Sequence, residues 1–118
     1  MPLAAGTGDA EYLDLLAAHL PLAIERAEAD AAIYLAGADP YAGDRLGGLG
    51  LSAAGLAERD RAVFAACARA GLPVAVAMAG GYAPDPEETV AIHVRTVRLA
   101  AEAAVAWHQS RSVDDARA

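Results

Sequence analysis

Two short runs without a polar interruption constrain this chain more than any other feature. One is Ala31–Ala36 (AAIYLA), flanked by Asp30 and Gly37. The other is Val74–Met78 (VAVAM), opened by Pro73 and ended by Gly80 and Gly81. Apolar runs of this length, lacking the alternation of a half-solvated strand, read as parallel strands buried on both faces. Between them, Ser52 is placed to cap a helix that ends near Gly71. A strand, a helix and a strand make a right-handed parallel crossover. An earlier helix starts at Asp9, read as its cap with Glu11 in the first turn, and carries Leu13, Leu16, Leu20 and Ile24 at helical spacing. Pro21 predicts a kink or a split in it. A later helix is announced by Asp85, Pro86 and Glu88, with Val90, Val94, Val97, Ala101 and Val105 as its apolar stripe. The expected order is helix, strand, helix, strand, helix over residues 1–108, an α/β, three-layer parallel-sheet arrangement. The polar tail, residues 109–118, is expected to be disordered.

Two parallel strands without neighbours leave sheet edges and apolar faces uncovered. The chain therefore reads as part of a larger sheet. The rest is expected from a missing upstream segment, a second copy or a complementing chain. At 118 residues and 12.0 kDa the chain is one domain at most. With 56% hydrophobic and 21% charged residues it is not a disordered tail. No apolar run reaches the ~18 residues of a membrane span. Met1–Glu11 has no basic residue and no long apolar core, so no secretory signal is read and the cytoplasm is the expected location. Net charge is −7, and the nine basic residues are scattered arginines, with no lysine, which argues against a nucleic-acid surface. The single cysteine, Cys67, excludes an internal disulfide and a cysteine zinc cluster, and it reads as a small buried residue.

In parallel sheets, sites lie beyond the carboxyl ends of the strands. Asp39 follows the first strand in GADP, and Tyr82 follows the second in AGGY. Parallel pairing puts both on one rim. An aspartate there can bind a cation, or merely start a turn before Pro40. A tyrosine hydroxyl can donate to an oxyanion, or the ring can plug the sheet end. Asp44 and Arg45, in GDRLG, are expected to shape the loop that carries Asp39. Gly48, Gly50 and Ala53 match a relaxed GxGxxA, but too far from a strand for a dinucleotide site, so they read as a turn and a helix start. His19, His93 and His108 all fall on expected helices, away from the rim by sequence. Trp107 and His108, near the end of the last helix, read as cover for a subunit or domain contact or as a half-buried helix end. Glu58, Arg59, Asp60 and Arg61 read as a solvated face with local ion pairs.

LAGADPYAGDRLGGLGLSAAGLAERD (Leu35–Asp60) followed by VAVAMAGGYA (Val74–Ala83) resembles the C-terminal part of the zinc-dependent histone deacetylase family, most nearly its class IV branch. GTGDAEYL and TVAIHVRT fit as well, so the resemblance runs from about Pro2 to Glu102. It implies an arginase/deacetylase fold larger than this chain, and hydrolysis of an acyl-lysine or acylated-amine amide with Zn2+. Asp39 would correspond to the second aspartate ligand of the zinc. Tyr82 would polarise the substrate carbonyl, and Gly80 and Gly81 would line the acyl-lysine channel. The family's Asp-x-His ligands and adjacent histidine pair have no counterpart here. The expectation is a deacetylase segment inactive by itself, which would not hold zinc tightly. The alternative is a truncated, inactive remnant that acts through self-association or a partner chain.

Overall fold

The computed structural model describes residues 2–115; Met1 and residues 116–118 lie outside the described residues. The order is α1 (Asp9–Ala27), β1 (Ala32–Ala36), α2 (Ala53–Arg69), β2 (Val74–Met78) and α3 (Pro86–Asp115). β1 and β2 pair in parallel, in register from Ala32↔Val74 to Ala36↔Met78. This is the expected α/β order.

Local chemistry sets most of the ends. The Ser52 hydroxyl accepts the Gly55 N–H at 2.9 Å and caps α2. The C-terminus of α2 closes as a Schellman turn. Gly71 takes φ +65°, its N–H donates to Ala68 O, and the Leu72 N–H donates to Cys67 O. At α3, Asp85 Oδ1 accepts the Glu87 N–H at 2.9 Å, and Pro86 occupies the first helical position.

Four expectations are corrected. Gly8, not Asp9, is the N-cap of α1. The Asp9 carboxylate is instead taken by Ser52, whose N–H and hydroxyl donate to it at 2.8 and 2.6 Å, tying the starts of α1 and α2 together. α1 is not split at Pro21, since the helix is continuous through it. α3 does not stop at His108 but continues to Asp115, because no Gly or Pro interrupts it after Pro86. The buried stripe of α3 is also not the expected one. Ile92, Thr96 and Leu99 are buried, whereas Val90, Val94, Val97 and Val105 are exposed.

The core lies on one side of the sheet. Tyr34, Val74 and Val76 pack against Ala57 and Phe64 of α2 and Leu99 of α3. Val63, Cys67 and Leu72 pack with Leu20 and Ile24 of α1 and with Ala32. The opposite face, where a third layer would lie, is open: Ile33 is 77% and Leu35 68% exposed. The strands are thus covered on one face only. The β1–α2 loop is anchored by Leu51, fully buried, through a bridge to Tyr41 and a bond from the Ala42 N–H to Leu51 O. Gly48 and Gly50 exchange backbone bonds with Gly6 and Thr7, and they belong to this loop and the approach to α2.

Candidate active site

The site is built at the carboxyl ends of β1 and β2. Beyond Ala36 the chain turns at Gly37 and crosses to the second strand, where the Ala38 N–H donates to Gly80 O at 2.7 Å. This brings the Asp39 carboxylate against the Gly80 backbone. A Cβ at Gly80 would collide with Asp39 Oδ1 and lie 2.7 Å from Oδ2; one at Gly37 would lie 2.9 Å from Oδ2. A side chain at 80 would therefore push the Asp39 carboxylate out of this position. Gly47 meets the same loop from the other side, since a Cβ there would fall on the Asp39 carbonyl oxygen. Gly81 packs on Ala38 and Thr89, where a Cβ would lie 3.0 Å from the Ala38 methyl and 2.6 Å from Thr89 Cγ2.

Tyr82 stands beside this turn, 58% exposed, with Arg45, Leu46 and Ala83 around a shallow cavity of about 300 Å³. Its backbone is held by Asp44. One carboxylate oxygen, Oδ1, accepts the Leu46 and Gly47 N–H groups at 2.8 and 2.7 Å. The other, Oδ2, accepts the Tyr82 N–H at 2.5 Å. The Arg45 N–H donates back to Tyr82 O at 3.3 Å. Burial works against the charged form of Asp44, but the three N–H donors outweigh it and hold its carboxyl below the usual carboxylate range. Asp44 thus shapes the Asp39 loop, as expected, and also staples Tyr82 to it. Nearby, the Tyr41 hydroxyl donates to Glu88 Oε1 at 3.3 Å, and the Glu88 charge, burial and this bond push the Tyr41 phenol up.

Below the rim lies a polar network that the sequence reading missed. Arg59 and Asp60 are not on a solvated face; they are 4% and 1% exposed. Asp60 Oδ1 accepts Arg59 Nε and Nη2 at 3.0 and 2.8 Å and the Tyr34 hydroxyl at 2.5 Å. Asp60 Oδ2 accepts the Thr96 hydroxyl at 2.6 Å. The guanidinium also sits 5.7 Å from the centre of the Tyr34 ring. Only Glu58 and Arg61 form the exposed pair that the charge run suggested, at 2.6 Å. One signal was available. Asp60 falls four residues after Leu56 and four before Phe64, on the apolar stripe of α2.

The histidines do not join the rim as a cluster. His19 lines a groove on α1 with Tyr12 and Leu16. His108 lines another with Trp107, Phe64 and Leu72. His93 Nδ1 is buried without a hydrogen-bond partner. Among the described residues, no three His, Cys, Asp or Glu side chains converge on a point that could hold a metal ion. Cys67 is buried, and burial pushes its thiol up.

Residues 1–97 match the sequence model of the histone deacetylase domain. An uncharacterized protein of Picosynechococcus sp. is 41% identical over 88 residues, which are 75% of this chain and 29% of that protein. The chain therefore spans less than a third of the length of this relative.

Proposed function

The chain belongs to the histone deacetylase family, and from that premise we propose that it supplies one wall of a zinc-dependent deacetylase site that hydrolyses an acyl-lysine or acylated-amine amide. In this reading Tyr82 is the donor to the substrate carbonyl, and Gly80 and Gly81 line the acyl channel. Asp39 is this chain's contribution to the metal site. A catalytic zinc takes three protein ligands, and among the described residues no three such side chains converge at the rim, so they do not make a zinc site by themselves. The remaining ligands and the general base belong, in this proposal, to sequence outside this chain.

The observation that carries the reading is the junction of the two strand ends. Asp39 rests on Gly80, and Asp44 fixes the Tyr82 backbone two residues further on. An exposed phenol on a fixed backbone can donate to an oxygen that gains charge during amide hydrolysis. That bond strengthens as the oxyanion forms, and it needs no rearrangement of the chain.

Tyr82→Phe tests this in an assembly completed with the segment that carries the other ligands. Turnover is expected to fall about 10²–10³-fold. The melting temperature should hardly move, since no hydrogen bond of the Tyr82 hydroxyl supports the fold among the described residues. A variant with turnover within about twofold of the unmodified chain, under 0.5 kcal/mol in barrier, would show that the hydroxyl is not the donor.

A second reading has its own observation. The bare face at Ile33 and Leu35 and the exposed valines of α3 favour a chain that acts by associating with itself or with a partner, without catalysis.

A further inference from the structure

We propose that the buried Arg59–Asp60 pair is a positioning device for Asp39, acting through the single peptide unit that joins Gly37 to Ala38. Two charges inside a small core call for a reason, because a buried ion pair is a poor source of stability. Apolar residues of similar size usually serve as well or better. Here the partners of the pair show where its effect is directed. Asp60 takes two guanidinium donors, the Tyr34 hydroxyl and the Thr96 hydroxyl. These contacts fix the guanidinium plane in the angle between β1, α2 and α3. The remaining arm, Arg59 Nη1, donates to one acceptor, the Gly37 carbonyl, at 2.7 Å.

That carbonyl belongs to the first peptide beyond β1. The N–H of the same peptide, on Ala38, donates to Gly80 O at 2.7 Å. The unit is thus held at both ends, by α2 through Arg59 and by the Tyr82 loop through Gly80. Asp39 is the next residue, and its carboxylate lies against Gly37 and Gly80. A rotation of the 37–38 peptide would swing the carboxylate off the rim. Arg59 resists that rotation from inside the core, and Asp60 keeps Arg59 aimed. The functional consequence rests on the role proposed for Asp39; the mechanical claim does not.

Hydrogen exchange followed by mass spectrometry on the whole chain tests the mechanical claim. Arg59→Met with Asp60→Leu removes both charges without stranding either. Arg59→Lys keeps the charge and loses the fork. The double variant should keep the protection of α2 and α3, and its melting temperature should fall only by what the Tyr34 hydroxyl loses with its acceptor. The Ala38 amide should exchange about tenfold faster. Arg59→Lys should fall between the two. An unchanged Ala38 rate in the double variant overturns the proposal. So does a loss of protection spread evenly over the helices in both variants, which would make the pair a general structural element. Failure of the completed, unmodified assembly to deacylate would sink the functional reading and leave the exchange result standing.

Discussion

At Asp44 a single carboxylate holds two loops together, and its lowered pKa gives the staple a pH limit. A group whose folded-state pKa is depressed stabilises above its unfolded value, about 3.9 for aspartate, and loses that contribution as pH falls through the lower folded value. The staple should therefore persist through mildly acidic conditions and open only below that range. At neutral pH, Asp44→Asn replaces one acceptor by a donor, so the amide cannot serve both loops. Tyr82 amide exchange should quicken, with a modest fall in the melting temperature. Unchanged protection of Tyr82 in this variant would remove Asp44 from the account. Tyr34 behaves with the opposite sign. Burial raises its pKa, the Arg59 charge opposes this, and the bond to Asp60 adds to the rise. A raised pKa gives stability that is full below the unfolded value of about 10 and declines as pH climbs beyond it. Tyr34→Phe should cost about 1.5–3 kcal/mol, as for a hydrogen bond to a charged partner, and should flatten the alkaline decline. Denaturant melts between pH 8 and about 11 check both, and an equal decline in the two proteins would contradict the assignment.

Among the elements, α3 is the sharpest test of which contacts matter. Leu99→Ala should cost about 2–5 kcal/mol, because Leu99 is packed against Ala57 and Phe64. Val97→Ala, two residues away on the exposed stripe, should stay within about 0.5 kcal/mol. Urea titrations of the two variants would separate them, and equal losses would mean that the valine stripe is also covered. The sequence carried the element order and the ends at Ser52, Gly71 and Asp85–Pro86, because caps are local chemistry. It did not carry the face of α3. That helix holds two stripes at helical spacing, and the buried one includes Thr96, whose burial makes sense only with Asp60 across the core. For the same reason four consecutive charges on α2 looked solvated, although two of them have their partners on other elements. At the rim, Asp39 and Tyr82 were legible as residues that follow parallel strands. The Asp44 staple on Tyr82 was not, since it depends on how two loops meet.

As a whole molecule the chain is larger than its mass requires. A compact 12.0 kDa monomer should expose about 6,000 Å², yet this one exposes 7421 Å². Its radius of gyration is 15.3 Å, against about 13.5 Å for a compact chain of 118 residues. The excess includes apolar side chains, among them Ile33, Leu35, Met78 and the α3 valines. The chain by itself should therefore dimerise, aggregate or bind a hydrophobic dye. Light scattering is the check, and a soluble monomer with a cooperative melt would mean that these faces need no cover. The parallel register has a separate consequence, for the order of events during synthesis. Every rung of the β1–β2 ladder joins residues such as Ala32 and Val74 that are far apart in the chain, so this edge of β1 is paired only after β2 has been made. At about 5–20 residues per second, that wait lasts roughly 2–8 s. Through those seconds Ala32–Ala36 lacks its β2 edge, and the side chains of Ile33 and Leu35, still exposed after β2 has paired, are open to a holding chaperone.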